Sequence, residues 1–166
     1  MKCAFPAIVS ASSTRLILGS MPSEASLAVQ QYYAHPRNGF WRILAELTGV
    51  AADAVYAQRV QALSTAGIAL WDVLSACERA GSLDSAIVAA TSVPNDFALF
   101  LAAYPQLNRI YFNGAKAEQI FRQKIMASQC LPENLQLLRL PSTSPAHASL
   151  SFEQKRDEWL MALAGG

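Results

Sequence analysis

The sequence has few cysteines and no spacing that suits a metal. Its three cysteines, Cys3, Cys77 and Cys130, lie far apart and form no C-x-x-C pair. This pattern indicates neither a disulfide framework nor a zinc or iron–sulfur site. Only two histidines are present, so we expect no bound metal and no cofactor.

The sequence also has little net charge. Lysine and arginine total 13 against 12 aspartates and glutamates, which gives a formal charge of +1. Such a molecule offers no strong field to a polyanion, so nucleic-acid binding would have to come from a local cluster.

Long hydrophobic runs and targeting signals are missing. The apolar runs are far shorter than the roughly 20 residues of a membrane-spanning helix. The 166 residues, 52% of them hydrophobic, are enough for one sizeable core, and no low-complexity linker divides them. We therefore expect one domain over residues 1–166 in a monomeric, cytoplasmic protein that does not contact membranes.

Three common active-site motifs are absent: G-x-x-x-x-G-K-[ST], G-x-G-x-x-G and G-x-S-x-G. Their absence disfavours a nucleoside triphosphatase, a dinucleotide-binding enzyme and a hydrolase with a serine elbow.

Four short apolar runs are present, and each ends in polar or turn residues. They are Leu16–Leu18, Ile68–Trp71, Ile110–Phe112 and Leu137–Leu140. Their composition is typical of parallel strands buried on both faces. Between them, the spacing of apolar residues predicts helices over 40–47, 53–63, 94–104, 116–128 and 151–163, the last with a Ser151/Gln154 capping box. This alternation predicts an α/β protein: a three-layer α/β/α sandwich with a central, mainly parallel four-stranded sheet.

Ligands of such folds bind beyond the carboxyl ends of the strands, where loops and helix N-termini converge. The residues just past the four strand ends therefore predict one cleft, formed by 20–23, Asp72, Asn113–Gly114 and 141–147. Gly19 would let backbone amides approach a ligand there, as in phosphate-binding turns, although a glycine after a strand also marks an ordinary turn.

The stretch 33–41 reads Tyr-Ala-His-Pro-Arg-Asn-Gly-Phe-Trp. Its proline and glycine prevent regular structure, so His35, Arg37 and Asn38 are held on a short, constrained loop. In the alternative interpretation, Asn38 is only the N-cap of the helix that begins near Phe40.

Three consecutive hydroxyls, those of Ser142, Thr143 and Ser144, lie between two prolines after the fourth strand. They are neutral donors suited to a phosphate on a stiff loop, or they form only an ST-turn. His147 is either a phosphate contact or an exposed loop residue.

Polar side chains lie at two strand ends, and the sequence allows more than one role for each. Asp72 is a general base, an acceptor for a nucleobase, or a cap for the amides of Ser75 or Cys77. Asn113 lies at the predicted cleft and is equally suited to cap the next helix.

Together, Gly-Ser-Met-Pro-Ser at 19–23, Tyr-Tyr-Ala-His-Pro-Arg-Asn-Gly-Phe-Trp at 32–41 and Leu-Pro-Ser-Thr-Ser-Pro-Ala at 140–146 resemble the uracil-DNA glycosylase superfamily. The closest resemblance is to its hypoxanthine-DNA (deoxyinosine) glycosylase branch, with the mismatch-specific uracil/thymine glycosylases as near relatives. It spans almost the whole chain and implies the same α/β fold.

The resemblance implies roles for individual residues. In the mismatch-specific relatives, an asparagine of Gly-Ile-Asn-Pro-Gly positions the attacking water, but Met21 stands there in this chain and a thioether cannot do so. In the hypoxanthine branch, the asparagine of His-Pro-Arg-Asn takes over, and it matches Asn38. Tyr33 matches the aromatic residue that stacks on the flipped base.

The remaining site residues follow from the same resemblance and from the cleft. Base-binding candidates are Gly19, Ser20, Met21, Asp72 and Asn113. DNA phosphate candidates are Ser23, His35, Arg37, Lys116, Ser142, Thr143, Ser144 and His147, with Arg139 and Lys155 as further cations. Some relatives insert a leucine wedge from the last loop into DNA, where this chain has only Pro145, Ala146 and His147.

The expected activity is that of a monofunctional DNA glycosylase in base excision repair. It would hydrolyse the N-glycosidic bond of deaminated bases, hypoxanthine first and uracil or xanthine next, in DNA that contains deaminated or mispaired bases. The alternative is a protein that binds altered DNA or a free nucleobase without cutting, because Met21 replaces the usual asparagine.

Overall fold

The computed structural model describes residues 1–164, so the last two residues of the predicted 1–166 domain lie outside the described part. In chain order, the strands are β1 (Lys2–Cys3), β2 (Arg15–Gly19), β3 (Ile68–Asp72), β4 (Leu74–Cys77), β5 (Val93–Pro94), β6 (Arg109–Asn113) and β7 (Gln136–Leu140). The helices are α1 (Glu24–Val29), α2 (Phe40–Thr48), α3 (Tyr56–Thr65), α4 (Phe97–Ala103), α5 (Ala115–Ile120) and α6 (Phe152–Ala164), with a π-helical turn over Phe121–Met126 and 3₁₀ turns over Asp84–Ala86 and Ala89–Thr91.

The four predicted strands are confirmed and form one parallel sheet, in the order β3-β2-β6-β7. Leu16 on β2 is in register with Ala69 on β3 and Ile110 on β6, while Ile110 is in register with Leu137 on β7. All four carboxyl ends therefore lie at the same edge of the sheet.

Alternate residues of each central strand face opposite sides, as the pleat requires. Leu16 and Leu18 belong to one buried cluster, whereas Ile17 between them belongs to the other. On the first face, α4, α5 and the π-helical turn contribute Phe97, Ile120 and Phe121, respectively. On the second face, α2, α3 and α6 supply Phe40, Leu63 and Trp159 among others. The expected three-layer sandwich is confirmed.

The five predicted helices are present, with most ends shifted by one to three residues. The capping box of α6 is confirmed by two reciprocal bonds: the Ser151 amide donates to Gln154 Oε1 at 2.8 Å, and the Gln154 amide donates to Ser151 Oγ at 3.1 Å. Within residues 1–164, no helix has both the length and the apolarity needed to cross a membrane.

Two features differ from the expectation. β7 is an edge strand, and Gln136, Leu138 and Arg139 are exposed, so it is not buried on both faces. A second, antiparallel sheet of order β1-β4-β5 and the short helix α1 were not predicted. Strands of two residues carry no periodic signal, and β4 follows β3 with only Val73 between them.

Candidate active site

A cleft of about 400 Å³ opens at the carboxyl edge of the parallel sheet. The turns after β2, β3, β6 and β7 all contribute to it, as the strand pattern predicts. Its lining residues are Gly19–Ser23, Ser26, Tyr32, Tyr33, Asn38, Asp72, Ser82–Ser85, Asn113–Ala115, Ser142–Ser144, Ala146 and His147.

Gly19 leaves room for two polar groups at the end of β2. A Cβ atom at this position would lie 2.6 Å from Asp72 Oδ1 and 3.1 Å from the Tyr33 hydroxyl. Any side chain here would displace one of them, so the glycine serves close packing in the cleft.

Asp72 is a buried carboxyl group in this cleft. Its side chain is 3% exposed, and its Oδ2 atom has no hydrogen-bond partner within residues 1–164. Its pKa is raised to about 7, mainly by burial and also by the charge of Asp84, while the charge of Arg79 partly offsets both. Both protonation states are therefore populated near neutral pH, so the group can accept or donate a hydrogen bond. Its main-chain carbonyl accepts from Asn95 Nδ2 at 2.7 Å. In the described part of the chain, the Asp72 side chain makes no hydrogen bond to the amides of Ser75 or Cys77, the capping alternative.

Tyr33 is held in an unusual conformation beside Asp72. Its φ of +54° lies in the left-handed region, which costs a non-glycine residue on the order of 1 kcal/mol or more. The ring packs on Phe40 with centroids 4.1 Å apart. Among the described residues, the buried hydroxyl has no partner of good hydrogen-bond geometry, although Asn113 approaches it. Burial and the charge of Asp72 raise its pKa, so the phenol stays neutral.

Asn38 lines the cleft and also caps the start of α2. The boundary residue of the helix is Gly39, one position later than the alternative interpretation placed it. Asn38 Oδ1 nevertheless accepts the Phe40 N–H at 3.0 Å, so the side chain performs a capping bond. Within the described residues, its Nδ2 group makes no hydrogen bond and remains available to a ligand.

Asn113 and Thr143 bind each other. Asn113 Nδ2 donates to Thr143 Oγ1 at 3.0 Å, and the Thr143 amide donates to Asn113 Oδ1 at 2.9 Å. The Thr143 carbonyl also accepts the Gly39 N–H at 3.0 Å, which ties the last loop to the start of α2. Thr143 is 3% exposed and its hydroxyl oxygen accepts from Asn113, so only its O–H donor is left over, and its contact with a phosphate stays a prediction.

The rest of the last loop is an ST-turn, as one alternative predicted. The Ser144 amide donates to Ser142 Oγ at 3.1 Å, and the Ala146 amide donates to Ser144 Oγ at 3.2 Å. His147 Nε2 lies 3.2 Å from Ser149 Oγ. The ammonium of Lys155 is buried against this loop and donates to the carbonyls of Ser144 and His147, so two of its three donors are used within the protein. Its contact with a phosphate stays a prediction.

The other predicted cations and hydroxyls lie around the cleft or beside it. His35 and Arg37 are outside its lining; the Arg37 amide donates to His35 Nδ1 at 3.1 Å, and the guanidinium is exposed. Lys116 is half-buried on α5, next to the lining residue Ala115. Arg139 pairs with Glu118 at 3.6 Å.

In the turn after β2, the side chains mainly contact other parts of the protein. Ser23 is the N-cap of α1 and accepts the Ser26 N–H at 3.1 Å. Met21 is buried and belongs to the core, although it also borders the cleft. Ser20 Oγ donates to Asp84 Oδ1 at 2.5 Å.

Sequence reasoning missed the loop over residues 78–92, which contributes Ser82–Ser85 to the cleft. Arg79 anchors this loop: it is 5% exposed, and it donates to the carbonyls of Gly81 and Pro22. The sequence offers only a Gly81-Ser82 turn signal there, because the loop has no helical or strand period.

A family model for the uracil DNA glycosylase superfamily matches residues 6–164. The chain belongs to the uracil DNA glycosylase superfamily. Among curated relatives, a hypoxanthine DNA glycosylase of Methanosarcina acetivorans is 35% identical over 160 residues, which cover 96% of both chains. A hypoxanthine DNA glycosylase of Methanosarcina barkeri is 37% identical over 117 residues, which cover 70% of this chain and 73% of that protein.

A solved structure shows the same superfamily fold. The solution NMR structure of a candidate uracil DNA glycosylase from Methanosarcina acetivorans has a TM-score of 0.79 and 35% identity. The match covers 99% of this chain and 97% of that one, so the superfamily fold extends over essentially the whole sequence.

Proposed function

We propose that the protein is a monofunctional DNA glycosylase that removes hypoxanthine, and secondarily uracil or xanthine, from DNA in base excision repair. The observation that carries the proposal is the cleft itself: an asparagine amide, an aromatic ring and an unpartnered carboxyl group converge at the carboxyl edge of a uracil DNA glycosylase sheet. The two curated relatives named hypoxanthine DNA glycosylases support the choice of base.

The chemistry needs an oriented water molecule rather than a strong base. The N-glycosidic bond breaks before water arrives, and its electron pair leaves with the base, so the sugar becomes an oxocarbenium ion. Water then adds to the anomeric carbon and loses a proton. Asn38 is suited to hold this water, because Nδ2 and the second lone pair of Oδ1 are left over from the bond to Phe40.

Base recognition requires that the target nucleotide leaves the duplex and enters the cleft. Tyr33 presents an aromatic surface there and is backed by Phe40, so it is suited to stack on the extruded base. Asp72 is the favoured reader of the base edge, since the Asn113 carboxamide is already bound to Thr143. A carboxyl group accepts the lactam N–H that hypoxanthine and uracil share and that adenine and cytosine lack.

Monofunctional cleavage follows from the lining of the cleft. Within residues 1–164, no lysine lines it: Lys116 lies beside it, and Lys155 is bound to loop carbonyls. No amine is therefore placed to form a Schiff base with the abasic sugar. DNA phosphates would contact the exposed surface around the cleft, at His35, Arg37, Lys116, Ser142, Ser144 and His147. We propose a monomer that acts in the cytoplasm.

A second candidate is a protein that binds altered DNA or a free nucleobase without cutting. The buried Met21, in the place of the usual asparagine, is the observation that favours it.

An incision assay separates the two candidates. Oligonucleotides that differ only at one position, deoxyinosine, deoxyuridine, a G·T pair or adenine, are incubated with the protein and then cleaved at abasic sites with alkali. We expect a strand break at deoxyinosine, weaker cleavage at deoxyuridine and none at adenine. Retained binding of the deoxyinosine duplex without any strand break would establish the binding protein instead.

A further inference from the structure

Two carboxyl groups, those of Asp72 and Asp84, contact successive residues of the turn after β2. Asp72 Oδ1 lies 2.6 Å from the position that a Cβ atom of Gly19 would take. Asp84 Oδ1 accepts from Ser20 Oγ at 2.5 Å, which holds this carboxyl group in place. Both aspartates line the cleft. The turn therefore brings the two carboxyl groups to neighbouring places in the cleft.

Within residues 1–164, neither carboxyl group forms an ion pair. Arg79 is the cation of the 78–92 loop, but its guanidinium donates to the carbonyls of Gly81 and Pro22. Two like charges that lack a paired cation repel each other, and burial penalises the charge of the more buried group. Asp72 is 3% exposed and Asp84 is half-buried, so Asp72 is the group that favours its protonated form.

The other titratable groups of the cleft do not supply a countercharge to Asp72. Tyr32 and Tyr33 line the cleft from the segment before α2, and both stay neutral because burial and the charge of Asp72 raise their pKa values. His147 lines the cleft from the loop after β7. Among the causes that raise the pKa of Asp72, the charge of Asp84 comes second only to burial.

We propose that Asp84 is a positioning residue for base release: it keeps the Asp72 carboxyl group protonated, so that the Asp72 O–H donates to the departing base. This inference rests on the proposed glycosylase function. When the N-glycosidic bond breaks, its electron pair leaves with the base, and the negative charge spreads onto the lactam oxygen. A carboxylate beside that oxygen would repel it. A protonated carboxyl group donates to it, and its other oxygen still accepts the lactam N–H. Enzymes use carboxylic acids that their surroundings keep neutral at about pH 7 as donors of this kind.

The pH dependence of the single-turnover rate of hypoxanthine release tests the proposal. Because the protonated form of Asp72 is the active one, the wild-type rate should fall as the pH rises through the pKa of Asp72. Asp84→Asn removes the charge but keeps an oxygen that can accept from Ser20. We expect this fall to begin about one pH unit lower in Asp84→Asn, so that its rate at about pH 8 is about tenfold below wild type. Asp72→Asn has an amide that does not ionise in this range, and its profile should lack the fall.

Glu78→Gln is the matched control, because Glu78 is an exposed acid on the same loop and lies outside the cleft lining. It removes one negative charge and should leave the profile where it is in wild type. Asp84→Glu keeps the charge and should restore most of the profile. A profile of Asp84→Asn that coincides with wild type, or a fall that persists in Asp72→Asn, would overturn the proposal.

A second readout needs no catalysis. A carbon-13 NMR titration of protein labelled at its aspartate carboxyl groups follows Asp72, whose signal is identified by its loss in Asp72→Asn. We expect a lower titration midpoint for Asp72 in Asp84→Asn than in wild type, and equal midpoints would overturn the action of Asp84. If wild type releases no hypoxanthine at any pH, the proposed function fails, while the titration still tests whether Asp84 keeps Asp72 protonated.

Discussion

Gly19, Asp72 and Tyr33 show how single residues build the cleft. The missing side chain at Gly19 admits the Asp72 carboxyl group and the Tyr33 hydroxyl into space that a Cβ atom would occupy. Both groups are buried, and each has an oxygen without a hydrogen-bond partner among residues 1–164. A buried polar atom without a partner costs on the order of 1–3 kcal/mol, which the rest of the fold must offset. Such atoms are expected where a ligand completes the hydrogen bonds.

The raised pKa of Asp72 predicts a specific dependence of stability on pH. Its pKa is about 7 in the folded protein and near 4 in the unfolded chain, so folding favours the protonated form. The contribution of the protonated Asp72 carboxyl group to stability is therefore full below pH 4 and is lost as the pH rises through about 7. Asp72→Asn removes this loss, and we expect it to raise the free energy of unfolding by about 2 kcal/mol more at pH 8 than at pH 5.

Urea denaturation at the two pH values measures this difference. Asp157→Asn is the matched control, because its side chain is 70% exposed. If both variants show the same dependence on pH, the buried carboxyl group does not titrate as described.

Sequence reasoning located Asn38, Tyr33, Asp72 and Asn113 at the cleft because each lies in a motif or at a strand end. It could not separate their contacts. The Asn113 side chain is hydrogen-bonded to Thr143, which lies on a loop 30 residues away. No local sequence pattern predicts the path of that loop.

At the scale of elements, the last helix and the last loop form one unit. The Lys155 ammonium on α6 holds two carbonyls of the 141–149 loop, at 3.2 Å from Ser144 and 2.5 Å from His147. Burial lowers the pKa of this lysine, which is tolerated because the carbonyls replace water around the charge. The loop that borders the cleft is thus positioned by a helix on the second face of the sheet.

Removing this contact should loosen the loop without dissolving the fold. For Lys155→Met, we expect the protected amides of Ser144, Ala146 and His147 to exchange with solvent about tenfold faster. Hydrogen exchange followed by mass spectrometry measures this. Lys124→Met is the control, since its ammonium makes a single bond, to the Ala89 carbonyl, at another loop. Equal exchange in wild type and Lys155→Met would show that the turn bonds alone fix the loop.

The elements that the sequence predicted are those with sustained periodicity. The four parallel strands and the helical segments follow from apolar spacing, and their order in the chain determines the layers. The β1-β4-β5 sheet and the 78–92 loop could not be predicted, because they depend on pairing between distant short segments and on the anchoring of Arg79.

At the scale of the whole molecule, superfamily membership and the geometry of the cleft point to the same chemistry. The net charge of +1 means that affinity for DNA must come from local contacts around the cleft and from the extruded base itself. A neutral asparagine as the water-orienting group suits a reaction in which the bond breaks before water attacks. Asn38 is therefore the residue on which the account depends most.

The most direct test is the single-turnover release of free hypoxanthine from a deoxyinosine oligonucleotide by wild type and Asn38→Ala. We expect release by wild type, and a rate at least about 100-fold lower for Asn38→Ala. The lost bond to Phe40 should lower its free energy of unfolding by only about 1 kcal/mol, so the variant stays folded. Asn134→Ala, at an exposed position, should match wild type. An unchanged rate in a folded Asn38→Ala protein, or no hypoxanthine release by wild type, would contradict the account.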